Sequence, residues 1–211
     1  MKQALTLKSR PDNLQSIFDY GSLVDALTTE PENIDHSTNT LHLAHGGTVQ
    51  FSDADWNKAC EQKRNILKHP LAAQIFNGAQ TQVVATNDNF RFEYGGYVFY
   101  MPVRLKADAF RKSANMAADL KTTGCATLKA AVASISQFDY DMQGAFYLDV
   151  LQVDKFPFIF SSKVKKKETF IHAMQRGDEM YQSGLAKYSY WAFQYWMLVW
   201  SMGKHIGGVQ L

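Results

Sequence analysis

The sequence predicts an α/β fold in which helices flank a central β-sheet, and two observations carry that prediction. Hydrophobic spacing changes along the chain from a helical period to alternation and back, in the order helices, three-strand meander, helix, strand, helix. The composition, 46% hydrophobic and 20% charged over 211 residues, is that of a chain able to bury one continuous core. One domain spanning 1–211 is therefore expected.

The elements follow in order. Leu14, Ile17, Phe18, Leu23, Val24 and Leu27 keep roughly helical spacing from Asn13 to about Thr28, with an interruption near Gly21, and Glu30-Pro31 closes this helix. The stretch from Ile34 to Thr48 contains His36, His42, His45 and two adjacent glycines, and reads as irregular chain or a short strand. Ser52 has the character of an N-cap, with Asp55 three residues on, opening a helix through Trp56 and Ile66 to His69-Pro70. A short helix is expected over Leu71 to Phe76. From Gln82 to Lys121 the pattern becomes β: TQVVATN, NFRFEYGG, GYVFYMPVRLKADAF and NMAADLKTT form a meander, with a hairpin turn at Tyr94-Gly95-Gly96-Tyr97. Thr127 to Leu151 reads as one helix, FPFIFSSKV as a strand, and Thr169 to about Gly203 as one long helix rich in Tyr and Trp.

Several function classes are disfavoured at once. Cys60 and Cys125 are far apart and form no CxxC pair, which supports neither a disulfide framework nor a thiolate metal cluster. The segment MKQALTLKSRPDN lacks an apolar core, and no stretch approaches the ~18 apolar residues of a membrane span, so a cytoplasmic protein is expected. His36, His42, His45 and His69 lack the helical spacing of a zinc enzyme. The net charge of +2 neither requires nor excludes a polyanionic partner. The aromatics of YSYWAFQYWMLVW occupy nearly every side of a helix, a pattern of core or subunit packing more than of base stacking.

The chemistry concentrates in D-x10-D-L-K. Asp108 lies near the end of one strand, and Asp119, Leu120 and Lys121 lie on the next. Positions 119 and 121 share strand parity, so Asp119 and Lys121 point to one face while Leu120 points into the core with its carbonyl available. Two carboxylates and a carbonyl suit a hard cation such as Mg²⁺. A lysine beside it can position or deprotonate water, or stabilise charge growing on a phosphate. Taken alone, this spacing marks an exposed ion pair more often than a catalytic centre. Arg104 and Lys106 share parity with Asp108 and are candidates for phosphate contacts; Lys163, Lys165, Lys166 and Lys167 are equally well read as phosphate contacts or as a solvated turn.

Residues 97 to 151 resemble the RecE-like, phage-type exonucleases of the PD-(D/E)XK superfamily, a group related to the lambda exonuclease. The resemblance rests on YVFYMPVRLKADAF, AADLKTT and FDYDMQGAFYLDVL, the last containing the family's Q-x3-Y helix as Gln143 and Tyr147, which share one helix face. GSLVDALTTEPENID resembles the first motif, G-x-x-x-H-x-L-x-x-E-P, and places Asp25 at a metal-binding position that is histidine in many relatives. The helix SDADWNKACEQKRNILKHPLAAQIF also resembles the one preceding the meander in these proteins. The chain departs from its relatives at SSKVKKKE, where they often carry a glutamate and a proline-containing turn.

The resemblance implies a restriction-endonuclease-like core with a central mixed sheet flanked by helices. It further implies an Mg²⁺-dependent exonuclease, with Mn²⁺ able to substitute, that resects duplex DNA ends 5′ to 3′ and leaves 3′ single-stranded tails. Asp25, Asp108, Asp119 and the Leu120 carbonyl are the implied metal ligands, Lys121 the water-orienting residue, and Gln143 and Tyr147 the residues positioning the strand. By the same resemblance the enzyme forms a homo-oligomeric ring and works with a single-strand annealing protein in recombination, phage or prophage encoded in a bacterial host. Two rivals stand beside it: an endonuclease or repair nuclease on the same fold, and an inactive DNA-binding protein.

Overall fold

The computed structural model describes residues 14–44, 46–164 and 168–205. It divides into two compact units, 1–63 and 64–211, with the division falling inside one helix. In the first unit α1 (Leu14–Thr29) is followed by a 3-10 turn at Pro31–Asn33 and a small antiparallel sheet of β1 (Ile34–Asp35), β2 (Thr40–His42) and β3 (Thr48–Gln50). Helix α1 is continuous through Gly21, where an interruption was expected, because one glycine weakens a helix without breaking it. Leu23, Val24 and Leu27 are fully buried along it. Helix α2 (Asp53–Lys68) opens as the sequence predicts: Ser52 Oγ accepts from the Asp55 N–H at 3.2 Å and donates to its carboxylate at 2.9 Å.

In the second unit α3 (Pro70–Phe76) leads into a five-stranded mixed sheet in sequential order: β4 (Gln80–Tyr94), β5 (Tyr97–Arg111), β6 (Met116–Thr123), β7 (Lys155–Ser162) and β8 (Thr169–Gln175). Three ladders are antiparallel, and β6–β7 is parallel. The predicted meander is β4–β5–β6. Its first turn places Gly95 and Gly96 at φ +59° and +81°, the two positive values that a two-residue turn of right-handed twist requires. A parallel pair needs a crossover, and α4 (Leu128–Gln137) with α5 (Tyr140–Leu151) supplies it. The α/β class and the mixed sheet flanked by helices are thus borne out.

Two boundaries differ from expectation. The helix expected over 127–151 is two helices, because Asp139 adopts a left-handed φ of +56° between them, a conformation that Asp tolerates better than most residues. The helix expected from Thr169 begins ten residues later as α6 (Glu179–His205). Thr169–Gln175 forms β8 instead, paired antiparallel with β7 along its whole length, from Ser161↔Thr169 to Lys155↔Gln175. The stop lies in the next residues: Gly177 turns the chain at φ +88°, and Asp178 caps α6 by accepting from the Tyr181 N–H at 2.7 Å.

The core lies between the sheet and α4–α6, where Phe156, Phe158, Phe160, Ile135, Leu148 and Met174 are almost fully buried. Helices α5 and α6 touch at their backbones. A Cβ on Gly184 would stand 2.1 Å from the Asp141 carbonyl oxygen, so that crossing admits glycine alone. Gly144 likewise brings α5 down on the rings of Phe156 and Phe158.

Candidate active site

The site arises where β5 and β6 separate. Their ladder runs Arg111↔Met116, Phe110↔Ala117, Ala109↔Ala118. One step further in that register would set Asp108 against Asp119, but β6 there pairs on its other edge, Asp119↔Phe158 and Lys121↔Phe160. The Leu120 N–H donates to Asp108 Oδ2 at 2.7 Å, a side chain taking the place of a ladder carbonyl. A strand residue sends its N–H and its C=O from the same edge, so the Leu120 carbonyl also leaves toward β5.

Asp119 is 4% exposed and Leu120 7%, so both faces of β6 are covered here. Lys121 Nζ lies 2.9 Å from Asp119 Oδ1 and 2.7 Å from Oδ2, and Gln143 Nε2 donates to Oδ1 at 2.7 Å. This is not the exposed ion pair that the spacing alone favours. Oδ2 is fully buried and, although the ammonium is near, receives no aligned hydrogen bond. Burial opposes the charge on Lys121, but the carboxylates of Asp119 and Asp108 outweigh it and raise its pKa above the usual value of 10.5. Lys121 is therefore an ammonium at neutral pH, 4.9 Å over the ring of Tyr140.

Helix α5 brings the third motif in. Gln143 reaches Asp119, and one turn later Tyr147 OH donates to the Lys106 carbonyl at 3.0 Å. Burial raises the Tyr147 pKa. Asp108, Asp119, Leu120, Lys121, Gln143 and Tyr147 thus converge, and Lys106 meets them through its backbone; its side chain and that of Arg104 are exposed. Asp25 belongs to the first unit, where it is half-buried on α1 and its Oδ1 accepts from Thr29 Oγ1 at 3.1 Å. Sequence reasoning missed Tyr140 and the two helix glycines, although an isolated glycine inside a helical pattern, as Gly144 is beside Gln143, signals close approach.

The described histidines lie on different elements. His69 caps α3 through Nδ1, accepting from the Ala72 N–H at 3.4 Å, and His36 packs edge-on to Trp56. His42 lies on β2, and His45 falls outside the described residues. Among the described residues, no group of three or more His, Cys, Asp or Glu side chains could hold a metal. Lys163 is exposed, and Lys165, Lys166 and Lys167 lie outside the described residues.

Residues 6–200 match the family described as "PDDEXK-like domain of unknown function (DUF3799)". The chain belongs to this family. The PDDEXK-like match spans both units and bears out the resemblance read from residues 97 to 151. In three dimensions the chain is similar to the crystal structure of a candidate exonuclease from Eubacterium rectale: 18% identity, a TM-score of 0.54, 85% of this chain and 66% of that one covered. The chain thus spans just under two thirds of that protein's length. A phage-related exonuclease from Haemophilus somnus 129PT matches at 14% identity and a TM-score of 0.37, covering 66% of this chain and 72% of that one. No curated protein matches significantly. At these identities the structural likeness concerns the fold.

The cluster around Asp108 and Asp119 fits a hard divalent cation on its own chemistry. It offers two carboxylates, a carbonyl directed to the same edge, and a buried carboxylate oxygen with no aligned hydrogen bond. No helix among the described residues is long and apolar enough to cross a membrane.

Proposed function

We propose that the chain is an Mg²⁺-dependent deoxyribonuclease, in the first instance a 5′-to-3′ exonuclease on duplex ends that leaves 3′ single-stranded tails. The observation that carries this reading is the opening between β5 and β6, where Asp108 and Asp119 stand with the Leu120 carbonyl on one side and Lys121 on the other. Asp108, Asp119 and Leu120 would hold the cation, and Mn²⁺ would serve in its place. The bound ion supplies Lewis acidity toward the phosphate and acidifies water. Water would attack the phosphorus as the bond to the 3′ oxygen breaks, the water losing a proton to solvent and the departing 3′ alkoxide taking one from solvent. Lys121, held against Asp119, would orient the water and stabilise charge on the phosphate oxygens. Gln143 locks the Asp119 carboxylate, and with Tyr147 it ties α5, and any strand lying along it, to the centre. Arg104 and Lys106 present exposed cations to the backbone.

The 5′ polarity, the ring-shaped homo-oligomer and the single-strand annealing partner rest on the resemblance to phage-type exonucleases. The test is digestion of linear, 5′-phosphorylated duplex and of a covalently closed circle, with Mg²⁺ or EDTA, by the wild type and Lys121→Ala. Mg²⁺-dependent loss of the linear DNA alone, abolished in the variant, is the expected result. Cutting of the circle would make the protein an endonuclease, and inertness toward both would favour an inactive DNA-binding protein.

A further inference from the structure

Beside the carboxylate pair lies a cavity of about 350 Å³ that none of the proposed chemistry uses. Phe92, Phe146, Tyr188 and Trp191 line it, and Gln143 and Tyr147 form part of the same wall. Almost none of its surface is polar, and the hydrogen bonds explain why. Gln143 gives its amide to Asp119, Tyr147 its hydroxyl to Lys106, and Tyr188 its hydroxyl to Asp149, so each presents carbon to the cavity. The rings cross steeply, Phe92 against Tyr188 at 76° and Phe146 against Tyr188 at 66°. Trp191 stays 61% exposed at the edge.

We propose that this cavity receives a nucleobase, the one belonging to the nucleotide at the scissile phosphate. The inference rests on the nuclease reading and extends it to a base subsite. Two residues are shared between the cavity and the carboxylate centre, so an occupant must be close to whatever Asp108 and Asp119 hold. In a DNA strand the flat, apolar group next to a phosphate is its base, and aromatic walls bind bases of every sequence through their faces. Arg104 and Lys106 share strand parity with Asp108, so exposed cations for the adjoining phosphates lie on the carboxylate's side of β5.

Two probes test this on the full chain. The first is a linear duplex carrying one abasic tetrahydrofuran nucleotide at a set distance from the 5′ end. Wild type is expected to slow about tenfold when that nucleotide reaches the centre, a loss typical of one missing base–aromatic stack. Trp191→Ala is expected to cut intact DNA about tenfold more slowly and to lose the distinction, while Trp191→Phe retains it. The second probe is a single strand containing 5-iodouracil, irradiated in EDTA, with crosslinks expected at Trp191 or Phe146. If wild type cuts DNA but neither abasic sensitivity nor those crosslinks appear, the base subsite is overturned and the nuclease reading survives. Crosslinks there without any cleavage would leave the subsite standing and remove the nuclease. Loss of self-association in Trp191→Ala, without crosslinks, would assign the cavity to a second copy of the chain and overturn the proposal.

Discussion

Asp119 and Asp149 are both shielded carboxylates in the second unit, with side chains 5% and 14% exposed, yet their surroundings differ in kind. Asp149 is saturated: Arg176 pairs with it, Tyr181 OH donates at 2.9 Å, and Tyr188 OH also donates. The other donors of Arg176 go to the Leu148 and Val153 carbonyls and to Asp154, so one guanidinium fastens the end of α5 to the turn after β8. Asp119 has two donors, Lys121 and Gln143, and keeps one buried oxygen without an aligned hydrogen bond. A carboxylate whose lone pairs are all used holds architecture together, whereas one with a lone pair to spare can receive a ligand.

The sharpest break of this contrast is Asp119→Asn, which keeps the shape of the side chain and removes its charge. Cleavage by the folded protein is expected to fall about 10²–10³-fold, well beyond any loss that follows from a smaller folded fraction. Full activity in this variant would erase the distinction between the two aspartates. Asp149→Ala should show the opposite balance, a stability loss of about 3 kcal/mol by urea unfolding, with rate reduced only as the folded fraction falls. The α5–α6 crossing that carries Asp149 is tested by Gly184→Ala, expected to cost about 2 kcal/mol because the helices must separate to admit the methyl group.

The smallest effect is on protonation. Since Asp119 offsets the burial of Lys121, Asp119→Asn should lower the Lys121 pKa, read from its side-chain Nζ by NMR titration. In the wild type that pKa lies above the unfolded value of 10.5, so the pair's contribution to stability is fully present below pH 10.5 and fades as pH rises through the folded value. Lys121→Met should therefore flatten the alkaline decline in stability, and an unchanged slope would show that the pair is electrostatically weak.

How legible each part was depends on whether its cause is local. The meander, its Gly95-Gly96 turn, the Ser52 cap and the order of Asp108, Asp119, Lys121, Gln143 and Tyr147 could be read directly, because period, turn chemistry and motif spacing are properties of adjacent residues. The break at Asp139 and the strand at Thr169–Gln175 could not, since edge pairing with β7 stabilises β8 from another part of the chain. The cap at Asp178 was a local signal that pattern reading passed over.

Sequence by itself determined the class of the fold, the family and the candidate residues for the chemistry. Tertiary structure alone decided that the aspartate–lysine pair is buried, that β5 and β6 part at Asp108, and that Asp119 keeps a lone pair free of hydrogen bonds. Burial and coordination capacity depend on what distant segments bring to a side chain, here β7, α5 and the glycine that lets α6 press α5 into place, and no spacing along the chain encodes that.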